Sequence, residues 1–180
     1  MRVALATTVL VVALAAGSLP PASATAGTSP AGADPTPAQI RTAIARAESA
    51  KTLWATVNIC DTRAHPNVLG VRGEMPSLGF PAWLSIQIQL NYYDRAKKTF
   101  VVDPGTTKTI RLGRSAHGLQ QGGATYTFPG PTPALKASVS FIWRRSGRTL
   151  GTTSMFTTAG HPGADFGDPP RFSAAGCQIH

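Results

Sequence analysis

The sequence predicts an all-β fold: an antiparallel β-sandwich of about seven to nine strands, preceded by a signal peptide and one short helix. Three observations predict it. From residue 53 onward the apolar residues recur with period 2, the spacing at which side chains alternate between the two faces of a strand. Clusters of Asp, Asn, Ser, Gly and Pro interrupt that alternation at short intervals, as turns do. Charged residues make up 14% of the chain and hydrophobic ones 42%. The usual charged share is about 25%, so a charge-expanded disordered chain is excluded.

The N-terminus reads as a secretory signal. Arg2 precedes an apolar run from Val3 to Ala16, followed by Ala22-Ser23-Ala24 and Ala24-Thr25-Ala26. Both triplets fit the small-x-small pattern of a cleavage site, and cleavage is expected after Ala24 or Ala26. The run is shorter than the ~20 apolar residues of a stable membrane helix, which makes an uncleaved anchor the lesser alternative. Residues 1–26 are therefore expected to be a signal peptide, and 27–36, rich in Thr, Ala, Gly and Pro, a flexible linker. The mature product is expected to be secreted, extracellular or envelope-associated, with no membrane span after cleavage. Thr36, Pro37 and Gln39 then form a helix start: an N-cap, a first-position proline and the partner of a capping box. Ile40, Ala43, Ile44 and Ala47 share one face, so a short helix is predicted over 37–51.

The remaining 52–180 is read as one β domain. Leu53 to Cys60 alternates, and Val68 to Met75 is a second short strand. Trp83 to Tyr93 is the clearest strand, with Leu84, Ile86, Ile88, Leu90 and Tyr92 on one face and Ser85, Gln87, Gln89, Asn91 and Tyr93 on the other. Asp94 to Lys98 turns the chain into a returning strand, Thr99 to Val102, and Asp103-Pro104-Gly105 turns it again. Short strands follow at Thr107 to Leu112 and Ala124 to Phe128. Lys136 to Arg145 and Thr149 to Thr158 flank Ser146-Gly147 as a hairpin. A last strand is predicted near Phe172 to Ile179. This pattern is that of an immunoglobulin-like sandwich, with a closed barrel as the alternative.

An exported chain with two cysteines predicts one disulfide, Cys60–Cys177, joining the first and last strands. A reactive thiol would need a neighbouring base, and two Cys without C-x-x-C spacing make a poor zinc site.

The search for chemistry yields little. His65, His117, His161 and His180 show no metal-ligand spacing. No serine lies in a G-x-S-x-G elbow. Asp165-Phe166-Gly167 lacks the phosphate loop and catalytic loop that kinase chemistry requires. Asp165 and Asp168 fall short of a calcium loop. No catalytic residue, metal or cofactor is expected. The enzyme alternative is a secreted hydrolase using loop His and Asp residues such as His161 and Asp165.

Charge is the feature that points to a partner. The net charge is +9, and losing Arg2 with the signal leaves +8. The excess falls in three groups: Arg95, Lys97 and Lys98; Lys108, Arg111 and Arg114; and Arg144, Arg145 and Arg148. The first and last lie at hairpin turns and are expected to cluster at sandwich ends. Their six residues are the polyanion-binding candidates. The expected partner is an anionic cell-envelope polymer or another secreted protein, not nucleic acid, and the chain is expected to be a monomer. Among aromatics, Trp83 and Trp143 are expected in the core. Trp54 and Tyr93 fall on polar faces, where an exposed ring could stack on a sugar.

Arg outnumbers Lys 12 to 5 and Ala, Gly and Pro abound, the usage of a high-GC bacterium. With Leu53 to Thr62, Thr158 to His161 and Phe172 to Cys177, the chain resembles uncharacterised secreted actinobacterial proteins over about 50–180. The resemblance implies export and a compact β domain, and it implies no activity. The leading expectation is thus a secreted, non-enzymatic β-sandwich module, binding or structural, held electrostatically to anionic envelope polymers.

Overall fold

The computed structural model describes residues 34–180. The expected signal peptide and most of the linker lie outside the described residues. Helix α1 spans Pro37–Glu48. Its capping box is formed: the Gln39 amide donates to Thr36 Oγ1, and the Thr36 amide donates to Gln39 Oε1 at 2.7 Å. The helix stops short of residue 51 because Ser49 turns back, its hydroxyl donating to the Ala45 carbonyl at 2.9 Å. Ile44 and Ala47 enter the hydrophobic core.

Eight strands follow: β1 Trp54–Cys60, β2 Val68–Pro76, β3 Ala82–Asp94, β4 Thr99–Val102, β5 Lys108–Ser115, β6 Leu119–Thr127, β7 Leu135–Arg145 and β8 Arg148–Phe156. They form two antiparallel sheets. One has the order β1-β2-β6, and the other the order β4-β3-β7-β8, with β5 also paired to β3. β7 holds one edge of β3 along Trp83 to Tyr92. The opposite edge is shared: β5 pairs with Ala82 to Ile88 and β4 with Asn91 to Asp94.

The core lies between the sheets. Leu84, Ile86, Ile88 and Leu90 of β3, with Ala137, Val139, Phe141 and Trp143 of β7, face Val57, Leu69, Val71 and Met75 of the smaller sheet. The sheets approach closely where side chains shrink. A Cβ on Gly73 would stand 3.1 Å from the Phe141 ring. The buried Trp143 Nε1–H finds its acceptor across the core, the Pro76 carbonyl at 2.9 Å.

Two expectations are corrected. β1 is not half-wet: Thr56 and Asn58, on its outer side, are as buried as Val57. The C-terminal segment covers that side, with Thr56 Oγ1 2.7 Å from Ser173 Oγ and the Asn58 amide donating to the Asp165 carbonyl at 2.8 Å, and along the edge of β1 Val57 and Ala174 exchange backbone hydrogen bonds at 2.9 and 3.0 Å. Phe172 to Ile179 is also not a strand. It touches β1 at Ala174 and β7 at Cys177, as isolated bridges. Those strands belong to different sheets, so the segment steps between them and cannot run along either as a ladder. The predicted disulfide is present, joining Cys60 to Cys177 with a Cα–Cα distance of 5.5 Å.

Candidate functional site

The outer face of the larger sheet carries the most distinctive surface. Alternation along β3 sends Leu84, Ile86 and Ile88 into the core, so Trp83, Ser85 and Gln87 point outward. Trp83 is 56% exposed, large for a residue of this size in a central strand. The core position expected for it is therefore overturned. The signal was in the alternation itself, since Trp83 shares parity with Ser85 and Gln87.

Register then fixes its neighbours. Trp83 is directly opposite Arg114 of β5 and Arg144 of β7, and Ser85 is opposite Arg111. Cross-strand partners present their side chains to the same face. All three arginines are exposed, and none forms a salt bridge among the described residues. Two irregularities flank this row. The β3–β5 ladder shifts between Leu84 and Ser85, and the β7–β8 ladder shifts between Trp143 and Arg144. Bulges sharpen local twist and re-aim side chains, and they recur beside binding sites.

Below Trp83 the face turns polar. Gln87, Ser140 and Ser154 lie in one cross-strand row, with the two serine hydroxyls 2.7 Å apart. The stripe ends at Lys136, whose ammonium lies 3.8 Å from the Phe156 ring centroid and 4.1 Å from that of Phe100.

The six sequence candidates divide. Arg144 belongs to the Trp83 row. Arg145 is turned inward and engaged: it donates to the Pro81 carbonyl at 2.6 Å and pairs with Asp34. Arg148 lines an open cleft of about 460 Å³ beside α1, together with Arg41, Arg145 and Thr149. Arg95, Lys97 and Lys98 occupy the β3–β4 turn, with Lys97 paired to Asp94 at 3.5 Å. That turn is at the far end of β3 from Trp83, roughly 35 Å away at ~3.3 Å per residue. The two groups mark opposite ends of the sheet and do not join. Arg111 and Arg114 converge with Arg144 instead.

No family model, curated protein or solved structure matches this chain.

Two loop histidines, His161 and His65, lie by the outer side of the smaller sheet, while His117 lines a cleft beside α1. Trp54, which the alternation puts on the polar face of β1, is buried under His161, whose ring stacks on it at 4.9 Å between centroids and 10° between planes. Trp54 Nε1–H donates to Glu74 Oε1 at 3.0 Å. Burial lowers the His161 pKa, and the nearby Glu74 carboxylate partly offsets that. His161 Nε2 is 2.9 Å from Thr158 Oγ1, and the structure shows no hydrogen bond between His161 and Asp165. The histidine that does meet an aspartate is His65, with Nδ1 at 2.8 Å from Asp168 Oδ2. Thr62 donates its hydroxyl to the same oxygen. These two hydrogen bonds hold the Asp168 carboxyl below its ordinary pKa. The Thr62 hydroxyl therefore meets the carboxylate and not the His65 imidazole, so the trio does not have the hydroxyl–imidazole–carboxylate order of a serine-protease-type triad. Among the described residues no group of three His, Cys, Asp or Glu is placed to hold a metal ion.

Proposed function

We propose that the protein is a secreted, monomeric, non-enzymatic module of immunoglobulin-like type that attaches to anionic polymers of the cell envelope. One observation carries this reading: Arg111, Arg114 and Arg144 converge around an exposed tryptophan, and no carboxylate is paired to them among the described residues. The cleft beside α1 adds Arg41 and Arg148 at that end of the domain, while Arg145 there is paired to Asp34. Such a surface attracts polyanions over a Debye length, about 8–10 Å at physiological salt.

The strand order supports the immunoglobulin-like type. β1-β2-β6 corresponds to strands A-B-E of that topology and β8-β7-β3-β4 to G-F-C with an added C′ strand, while β5, in the chain position of strand D, pairs with β3 instead. That likeness concerns fold alone. Export is supported by the N-terminal signal pattern and by the disulfide, which persists in oxidising compartments. Among the described residues no helix is long and apolar enough to cross a membrane.

The test is co-sedimentation of the mature, oxidised protein with purified cell envelopes at low and high salt. Wild type should pellet at low salt and be released at high salt. The triple variant Arg111→Glu, Arg114→Glu, Arg144→Glu should stay in the supernatant, while Arg95→Glu, Lys97→Glu, Lys98→Glu should pellet nearly as wild type. Undiminished pelleting of the first variant would refute the assignment.

A further inference from the structure

We infer that the polymer recognised on this face is a glycan whose sugar rings carry carboxylates, and that Trp83 is the residue that distinguishes it from other polyanions. The inference rests on the basic attachment proposed above and specifies its ligand.

Charge alone does not account for what surrounds the arginines. A purely electrostatic patch has no use for an indole that is 56% exposed near the start of a strand flanked on both sides. Leaving that much apolar surface in water is unfavourable, by about 25 cal/mol for each Å² that a partner could cover. The apolar C–H face of a sugar ring is a flat partner of suitable size, and the ring's hydroxyls would remain at its edge.

Those hydroxyls then meet the right chemistry. Beyond Trp83 the outer side of β3 carries Ser85 and Gln87, and then Gln89, whose amide is held by the Asp103 carbonyl and the Thr106 and Thr107 hydroxyls. The neighbouring strands add Thr109, Ser140 and Ser154 in register. From Trp83 to Gln87 this stripe runs about 13 Å at ~3.3 Å per residue, longer than a single sugar ring. Hydroxyl and amide groups both donate and accept, as sugar hydroxyls do.

The arginines supply the acidic group. Arg114 and Arg144 lie on either side of Trp83, and Arg111 lies one row along. A guanidinium fork matches a planar carboxylate through two parallel hydrogen bonds. A carboxylate on a ring next to the one stacked on Trp83 would therefore fall within reach of one of them. The bulges on the β5 and β8 sides of this row hold the backbone that aims these side chains. A lipid surface would call for a contiguous apolar set, whereas on this face Ser85, Gln87, Ser140 and Ser154 lie between Trp83 and the other exposed ring, Phe156.

The experiment is titration calorimetry of the mature protein with four probes: polygalacturonate, fully methyl-esterified polygalacturonate, polyglutamate and polyphosphate. Polygalacturonate should bind best. Esterification removes the charge but keeps the rings, and should weaken binding at least tenfold. Trp83→Ala should weaken polygalacturonate binding about tenfold and leave polyglutamate binding unchanged. The side chain is exposed, so its melting temperature should match wild type. Arg114→Gln with Arg144→Gln should weaken both. Equal binding of polyglutamate and polygalacturonate, a preference for polyphosphate, or indifference of polygalacturonate binding to Trp83→Ala would overturn this inference while leaving the basic attachment standing. Failure of all four probes, together with failure to sediment with envelopes, would overturn both.

Discussion

Removing the disulfide with Cys60→Ser and Cys177→Ser tests how the C-terminal segment is held. The bridge spans a sequence separation of 117 residues. Loop-closure entropy for a ring of that size is worth up to about 5 kcal/mol, gained by restricting the unfolded chain. Such a loss is a large part of the roughly 5–15 kcal/mol that holds a typical domain together. The folded state should nevertheless survive. The segment keeps its backbone hydrogen bonds to Leu135, at 2.6 and 2.9 Å around Cys177, and to Val57 around Ala174. Ile179, fully buried, still anchors the tail. The expected result is a cooperative protein that melts about 10–20 °C lower. In urea the unfolding free energy should fall by about 3–5 kcal/mol and the m-value should rise, because the uncrosslinked unfolded chain exposes more surface. A loss below about 1 kcal/mol with an unchanged m-value would refute the reasoning, since the bridge would then not be restricting the unfolded ensemble.

Two further outcomes follow from the loops packed on the smaller sheet. Asn58→Ala removes the two hydrogen bonds by which the buried Asn58 amide grips the Asp165 and Phe166 carbonyls, at 2.8 and 3.2 Å. It should cost about 1–3 kcal/mol in urea unfolding and speed proteolysis within 160–168; an unaltered cleavage rate would count against that role. Acid should weaken the protein in two stages. The lowered pKa of His161 means that the unfolded chain takes up the proton first, so stability is lost as pH falls below about 6.5 and is flat above it. Asp61, Asp94 and Asp168, held low by hydrogen bonds to their charged forms, contribute stability that is complete above about pH 4 and lost as pH falls through their folded values. His161→Phe keeps a ring against Trp54 and should abolish only the upper stage in melts between pH 7 and 5. Persistence of that stage in the variant would rule His161 out as its source.

Much of this architecture was legible in the chain because its causes are local. The capping box of α1 needs only Thr36 and Gln39, three residues apart. The alternation from Leu84 to Leu90 decides which face of β3 is buried, whatever packs against it. Ser146-Gly147 supplies the positive φ values, 48° and 76°, that close the β7–β8 hairpin. The Cys60–Cys177 pairing followed from there being no other cysteine to choose. The disulfide, the antiparallel strands and helix α1 were in that sense determined by sequence.

Tertiary structure decided what lies on the outer faces. Trp54 and Trp83 both occupy outward positions of their strands, yet one is covered and the other is not. The difference is the segment after β8, which folds back over β1 and leaves β3 open, and no local pattern reports a contact made more than 100 residues away. The same holds for the arginines. Arg111, Arg114 and Arg144 are scattered along the chain and meet because β5 and β7 take opposite edges of β3. Spacing within a strand is set by its own residues; neighbours across strands are set by which edges pair, and only the assembled sheets fix that.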